Sequence, residues 1–159
     1  MYQYRISKYS PNLRDIQGHY VLNDWTDYSD IGSTFNGKRL SKQAYFRVER
    51  AYLGVVSDML QRTSVFSMMI HDYEPRSRFS RIRSAFIMPR SLSSRNQILR
   101  FSRGCLRNNH WGKLVSDETF IHFGYDYYVY IGCSLNASEM QDISSRHRLF
   151  CETIDSPYS

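Results

Sequence analysis

Thr119-Phe120-Ile121-His122-Phe123-Gly124-Tyr125-Asp126-Tyr127-Tyr128-Val129-Tyr130-Ile131-Gly132-Cys133 decides the reading of this chain. The stretch is dense in β-branched and aromatic residues, which fit a pleated, half-buried surface. Gly124-Tyr125-Asp126 carries turn chemistry, so a hairpin of 119–123 with 127–133 is expected. A single long strand bulged at Gly124 is the competing reading. Tyr125, Tyr127, Val129 and Ile131 alternate with Asp126, Tyr128 and Tyr130. One side of that alternation is core. The other keeps tyrosines and an aspartate, and is either covered by the rest of the chain or offered to a partner.

Working outward, the clearest helix runs from about 42 to 62, capped by Ser41. Tyr45, Val48, Tyr52, Val55 and Met59 recur at three- and four-residue spacing, flanked by Phe46, Leu53, Val56 and Leu60. Gly54 sits off the centre of this stripe and costs about 1 kcal/mol relative to Ala. A second amphipathic helix is expected over about 93–108, capped by Ser91 or Ser93. Its apolar side is Ile98, Leu99, Phe101, Cys105 and Leu106. Strands are expected at 2–7, 65–72, 81–88 and 149–154, and a short helix from Asn136 or Ser138 to about 145. Residues 12–40 read as a long packed loop around Trp25. The sum is one α+β domain, 1–159, with a mainly antiparallel sheet against the 42–62 helix and the 93–108 helix beside it.

The net charge of +6 is uneven. From Pro75 to Ser116 the chain carries +10 with no Asp or Glu, and from Asp117 to Ser159 it carries −5. Such an excess calls for an acidic counterpart: a nucleic acid, an acidic protein, or the chain's own carboxylates. Arg100, Arg103 and Arg107 fall on one side of the second helix, opposite Ile98 and Cys105. Three cysteines, Cys105, Cys133 and Cys151, form no C-x-x-C and are expected to be reduced. No signal peptide or long apolar stretch is evident, which predicts a cytoplasmic protein with no membrane association.

No residue pattern announces catalysis. Five histidines, His19, His71, His110, His122 and His147, form no H-x-x-x-H. A ribonuclease built on His122 and His71 would need both in one cleft, and their spacing does not demand it. Asp24, Asp27 and Asp30 lack the order of a calcium loop and read as turn and helix caps. No phosphate loop, RNP motif or zinc-finger spacing occurs. No catalytic site, cofactor or metal is therefore expected.

Ser7-Lys8-Tyr9-x-Pro11, Arg14-Asp15, Gly18-x-Tyr20, Asp24-Trp25-Thr26 and Ser29-Asp30-Ile31-Gly32 form a series that continues through the Tyr45…Glu49…Tyr52 helix. It returns in His122-Phe123-Gly124-Tyr125-Asp126-Tyr127-Tyr128 and in Leu149-Phe150-x-Glu152…Ser156-Pro157-Tyr158. This series resembles the bacterial immunity proteins encoded beside polymorphic or contact-dependent growth inhibition toxins. It spans most of the chain and leaves the basic middle unmatched. The resemblance implies a nuclease inhibitor or antitoxin that neutralises a cognate toxin C-terminal domain by forming a stoichiometric complex. Such proteins are frequently acidic, so at +6 this one would use local acidic patches or meet an acidic toxin. The candidate partner-binding residues are Arg100, Arg103, Arg107, Tyr125, Asp126 and Tyr128. The alternative reading is a small basic nucleic-acid-binding protein that uses the Arg-rich 76–113 segment.

Overall fold

A computed structural model describes residues 1–76 and 90–158. Its centre is a seven-stranded sheet of order β5-β4-β6-β7-β8-β1-β9, with every neighbouring pair antiparallel. The strands are β1 (Tyr2–Ser7), β4 (Met68–Pro75), β5 (Ser91–Leu92), β6 (His110–Val115), β7 (Phe120–Phe123), β8 (Val129–Cys133) and β9 (Phe150–Thr153). A separate small hairpin joins β2 (Thr34–Phe35) to β3 (Lys38–Arg39). The helices are α1 (Lys42–Thr63), α2 (Arg95–Leu106) and α3 (Ala137–Arg146). This is the expected α+β class.

The inner face follows directly from the alternation. Tyr4 and Ile6 of β1, Leu114 of β6, Ile121 and Phe123 of β7, and Val129, Ile131 and Cys133 of β8 all join the core. Against them lie Tyr45, Tyr52, Val55, Val56, Met59 and Leu60 of α1, all at most 2% exposed. Ser41 caps α1 by accepting from the Ala44 N–H, and Ser64 ends it in the left-handed region at φ 55°. The outer face carries the row Arg5, Tyr130, His122, Lys113 and His71 in register. Tyr130 and His122 are buried even there. The C-terminal tail crosses them: Ser156 Oγ lies 2.9 Å from His122 Nδ1, and the Tyr158 ring sits 5.7 Å from Tyr130.

Several expectations are corrected. Strand β4 runs Met68–Pro75 rather than 65–72 and is largely exposed. A left-handed Asp72 at φ 51° lies where its register with β6 shifts. Ser91 belongs to β5, and Ser94 caps α2 by accepting from the Gln97 N–H. The expected strand at 81–88 lies outside the described residues. Strand β6 and the β2–β3 hairpin were not expected at all. Gly54 is a close-approach site. A Cβ there would come 2.3 Å from the ring of His147, which is 2.9 Å from Asp58 Oδ2 in the seam between α1 and α3. Alanine at position 54 therefore meets a packing penalty that outweighs its better helix propensity.

Candidate functional site

The hairpin reading of 119–133 holds, and its tip carries two left-handed residues. Asp126 and Tyr127 stand in succession at φ 57° and 63°, a conformation L-residues adopt at a cost. The tip is tied from both sides. The Gly124 N–H donates to Tyr128 O, and the Tyr128 N–H donates to Tyr125 O. From beneath, Tyr52 OH donates to Tyr127 O at 2.8 Å while itself accepting from the Lys8 N–H at 2.7 Å. Tyr127 OH donates to Tyr45 OH at 2.7 Å, and Tyr45 OH donates to Leu106 O at 2.9 Å. This relay joins the end of β1, helix α1, the tip and the end of α2. Burial pushes the phenol pKa values of Tyr45, Tyr52 and Tyr127 well above their ordinary value, so all three stay neutral donors.

The tip stands over a cleft of about 280 Å³. Thr26 and Asp27 of the Trp25 loop form one wall, and Leu106 and Asn108 at the end of α2 form another. Arg76 closes the side beyond β4, and Tyr125 to Tyr128 make the rim. The Arg76 guanidinium donates to Asn108 Oδ1 at 2.8 Å. Tyr125 is 70% exposed and Asp126 is exposed beside it. Trp25 is 7% exposed, and its ring lies 4.9 Å from that of Tyr127 and 5.3 Å from that of Tyr45. Asp27 and Asp30 form a capping box on a short 3-10 turn, and Asp24 pairs with Lys8 Nζ at 2.6 Å. These three aspartates thus act as caps and as an ion-pair partner. Among the described residues no three His, Cys, Asp or Glu side chains gather where they could hold a metal.

The six residues singled out from sequence divide into two groups. Tyr125, Asp126 and Tyr128 line the cleft together. Tyr128 also turns to the outer face, where its ring takes Arg5 at 5.0 Å and Tyr9 at 5.6 Å. The arginines do not form a uniform cationic stripe. Arg107 grips Glu49, which is 2% exposed, with bonds of 2.7 and 2.8 Å, and lies 5.0 Å over Phe46. Arg103 approaches the same carboxylate at 3.7 Å. Arg100 alone is exposed without an ion pair among the described residues. Arg103 and Arg107 thus share one carboxylate, which offsets a single charge of the three. Thr26, Asp27, Arg76 and Asn108 were not singled out. Only the turn chemistry of Asp27 and Asn108 hinted at their place beside a loop cluster.

His122, His110 and His147 have structural partners. His122 is stacked on Phe120 at 4.2 Å, bonded to Ser156, and held down to a pKa of about 4 by burial and by nearby Lys113. His110 is half-buried under α2 against Phe101 O, and desolvation lowers its pKa too. His71 is exposed on the outer face, with Lys113 between it and His122 in the cross-strand row. Because the folded state resists protonating His122, the unfolded state takes up that proton first. Stability should therefore fall as pH drops from about 6.5 toward 4 and rise again as pH is restored. His122→Gln should flatten that part of a plot of Tm against pH. An unchanged slope would mean that His122 is protonated or solvated in the fold.

No helix among the described residues is long and apolar enough to cross a membrane. No protein-family model, curated protein or solved structure matches this chain.

Proposed function

We propose that this protein is an immunity protein, binding and neutralising a cognate toxin C-terminal domain by stoichiometric complex formation, without chemistry of its own. The observation that carries the proposal is the Tyr125–Asp126 tip. An exposed aromatic and a carboxylate stand on a strained turn, over a cleft, on a support of buried tyrosines. Holding a contact side chain rigid before binding lowers the entropy lost on association. Tyrosine suits such contact points because it offers a large amphipathic surface on few rotatable bonds. Asp27 and Asp126 outnumber Arg76 among the charged residues of the cleft, despite the basic chain. That balance suits a basic side chain of the toxin, such as one a nuclease uses to hold phosphate. The bidentate hold of Glu49 on Arg107 takes that one arginine away from phosphate and so weakens the nucleic-acid alternative at that position.

The test is co-expression with the toxin domain encoded beside this protein. Growth should be restored. In the purified complex, amide exchange should slow at 124–128 and around Asp27. No rescue and no complex with that neighbour would sink the proposal.

A further inference from the structure

We propose that β9 is also an interface, through which a second copy of this chain extends the sheet. Among the described residues β9 is the last strand of the sheet and is hydrogen-bonded only to β1. The Ile154 N–H donates to Gln3 O, which places residues 150, 152 and 154 as the ones bonded toward β1. The backbone N–H and C=O of Cys151 and Thr153 therefore point outward along the free edge.

An antiparallel second copy can satisfy them in one self-complementary register. Cys151 of each copy then faces Thr153 of the other, and each such pair exchanges both backbone bonds. This register sets Phe150 opposite the other copy's Ile154, on the outer face. These are two of the exposed large apolar side chains of the protein, at 41% and 39%. Between them Glu152 meets its own symmetry mate. That contact is tolerable because each Glu152 is already held by Arg5 at 3.0 Å and Arg14 at 3.1 Å. Hydrogen-bond need, apolar pairing and charge all close in the same register. An edge strand presents unpaired N–H and C=O groups that can template another strand, and the one charge on β9, Glu152, is already held by Arg5 and Arg14. A slip of two residues would leave both Phe150 and Ile154 without an apolar partner.

Sedimentation equilibrium of the full chain tests this. Mass should rise from 18.9 kDa toward twice that value as concentration climbs from about 1 to about 300 µM. Thr153→Pro removes only an outward N–H, so it should keep the thermal midpoint and weaken the dimer about tenfold or more. Phe150→Cys combined with Ile154→Cys should give a covalent dimer on oxidation, reporting the register directly. A monomer throughout the range overturns the proposal. So does a dimer indifferent to Thr153→Pro, or one that fails to cross-link. Binding of a toxin strand at this edge instead would appear as a monomeric chain whose toxin affinity falls with Thr153→Pro. Toxin binding through the 124–128 tip is unaffected by any of these outcomes.

Discussion

Trp25→Ala is expected to lower the free energy of unfolding by about 3–5 kcal/mol, the range for truncating a large buried ring. The indole touches more than one part of the core. It packs on Tyr45 and Tyr127, and Lys8 Nζ sits 4.0 Å over its ring, while the Trp25 backbone carbonyl accepts from Tyr9 OH at 2.8 Å. The Lys8 side chain is itself buried, which lowers its pKa to about 8, and it relies on Asp24 and on the rings of Tyr9 and Trp25. Removing the indole opens a void beside a desolvated ammonium, so Trp25→Phe should recover much of the loss. Because Trp25 also braces Tyr127, the alanine variant should exchange amides faster at 124–128. Urea unfolding decides the matter: an unchanged midpoint would mean that the loop is not packed as described.

The largest effect on binding is expected at the tip. Tyr125→Ala combined with Asp126→Asn should weaken toxin affinity by at least about 30-fold, corresponding to about 2 kcal/mol, the level of an interface hot spot. Asparagine is chosen at 126 because it tolerates the left-handed backbone while removing the charge. Both side chains are exposed, so the unfolding midpoint should hardly move. Calorimetric titration of the toxin domain provides the reading. Equal affinity for the variant and the parent would place the contact elsewhere on the protein.

The parts of the fold legible from sequence are those fixed by local periodicity. Helix α1 is legible because its apolar stripe is long and Ser41 caps it. The β7–β8 hairpin is legible because turn residues interrupt two β-rich runs. Strand β6 was hidden by Gly112, which reads as a break. In the sheet that glycine makes room for the Phe101 ring, which would lie 3.0 Å from a Cβ, and for the nearby backbone of β4. Trp111, Lys113 and Val115 alternate with Gly112 and Leu114, and that pattern was the available signal. The β2–β3 hairpin had a plainer one in Asn36-Gly37, at φ 48° and 73°.

The candidate site was half legible. Asp126 and Tyr128 could be singled out from the polar side of the alternation. Tyr125 fell in the row of Tyr127, Val129 and Ile131 and is exposed because the chain turns there. The fate of Arg103 and Arg107 could not, because Glu49 lies 58 residues from Arg107 in the chain. Helical projection shows which side a charge occupies, not which distant carboxylate waits there. The successive left-handed residues at the tip were equally hidden, since neither is glycine and tertiary hydrogen bonds hold them.

Inhibition by stoichiometric binding is the central claim, and titrating the toxin's activity with this protein tests it most directly. The residual activity should fall linearly, reach its floor at one equivalent, and stay there without further change over time. Activity that disappears progressively at a small fraction of an equivalent would reveal turnover. Activity that survives any excess would contradict neutralisation altogether.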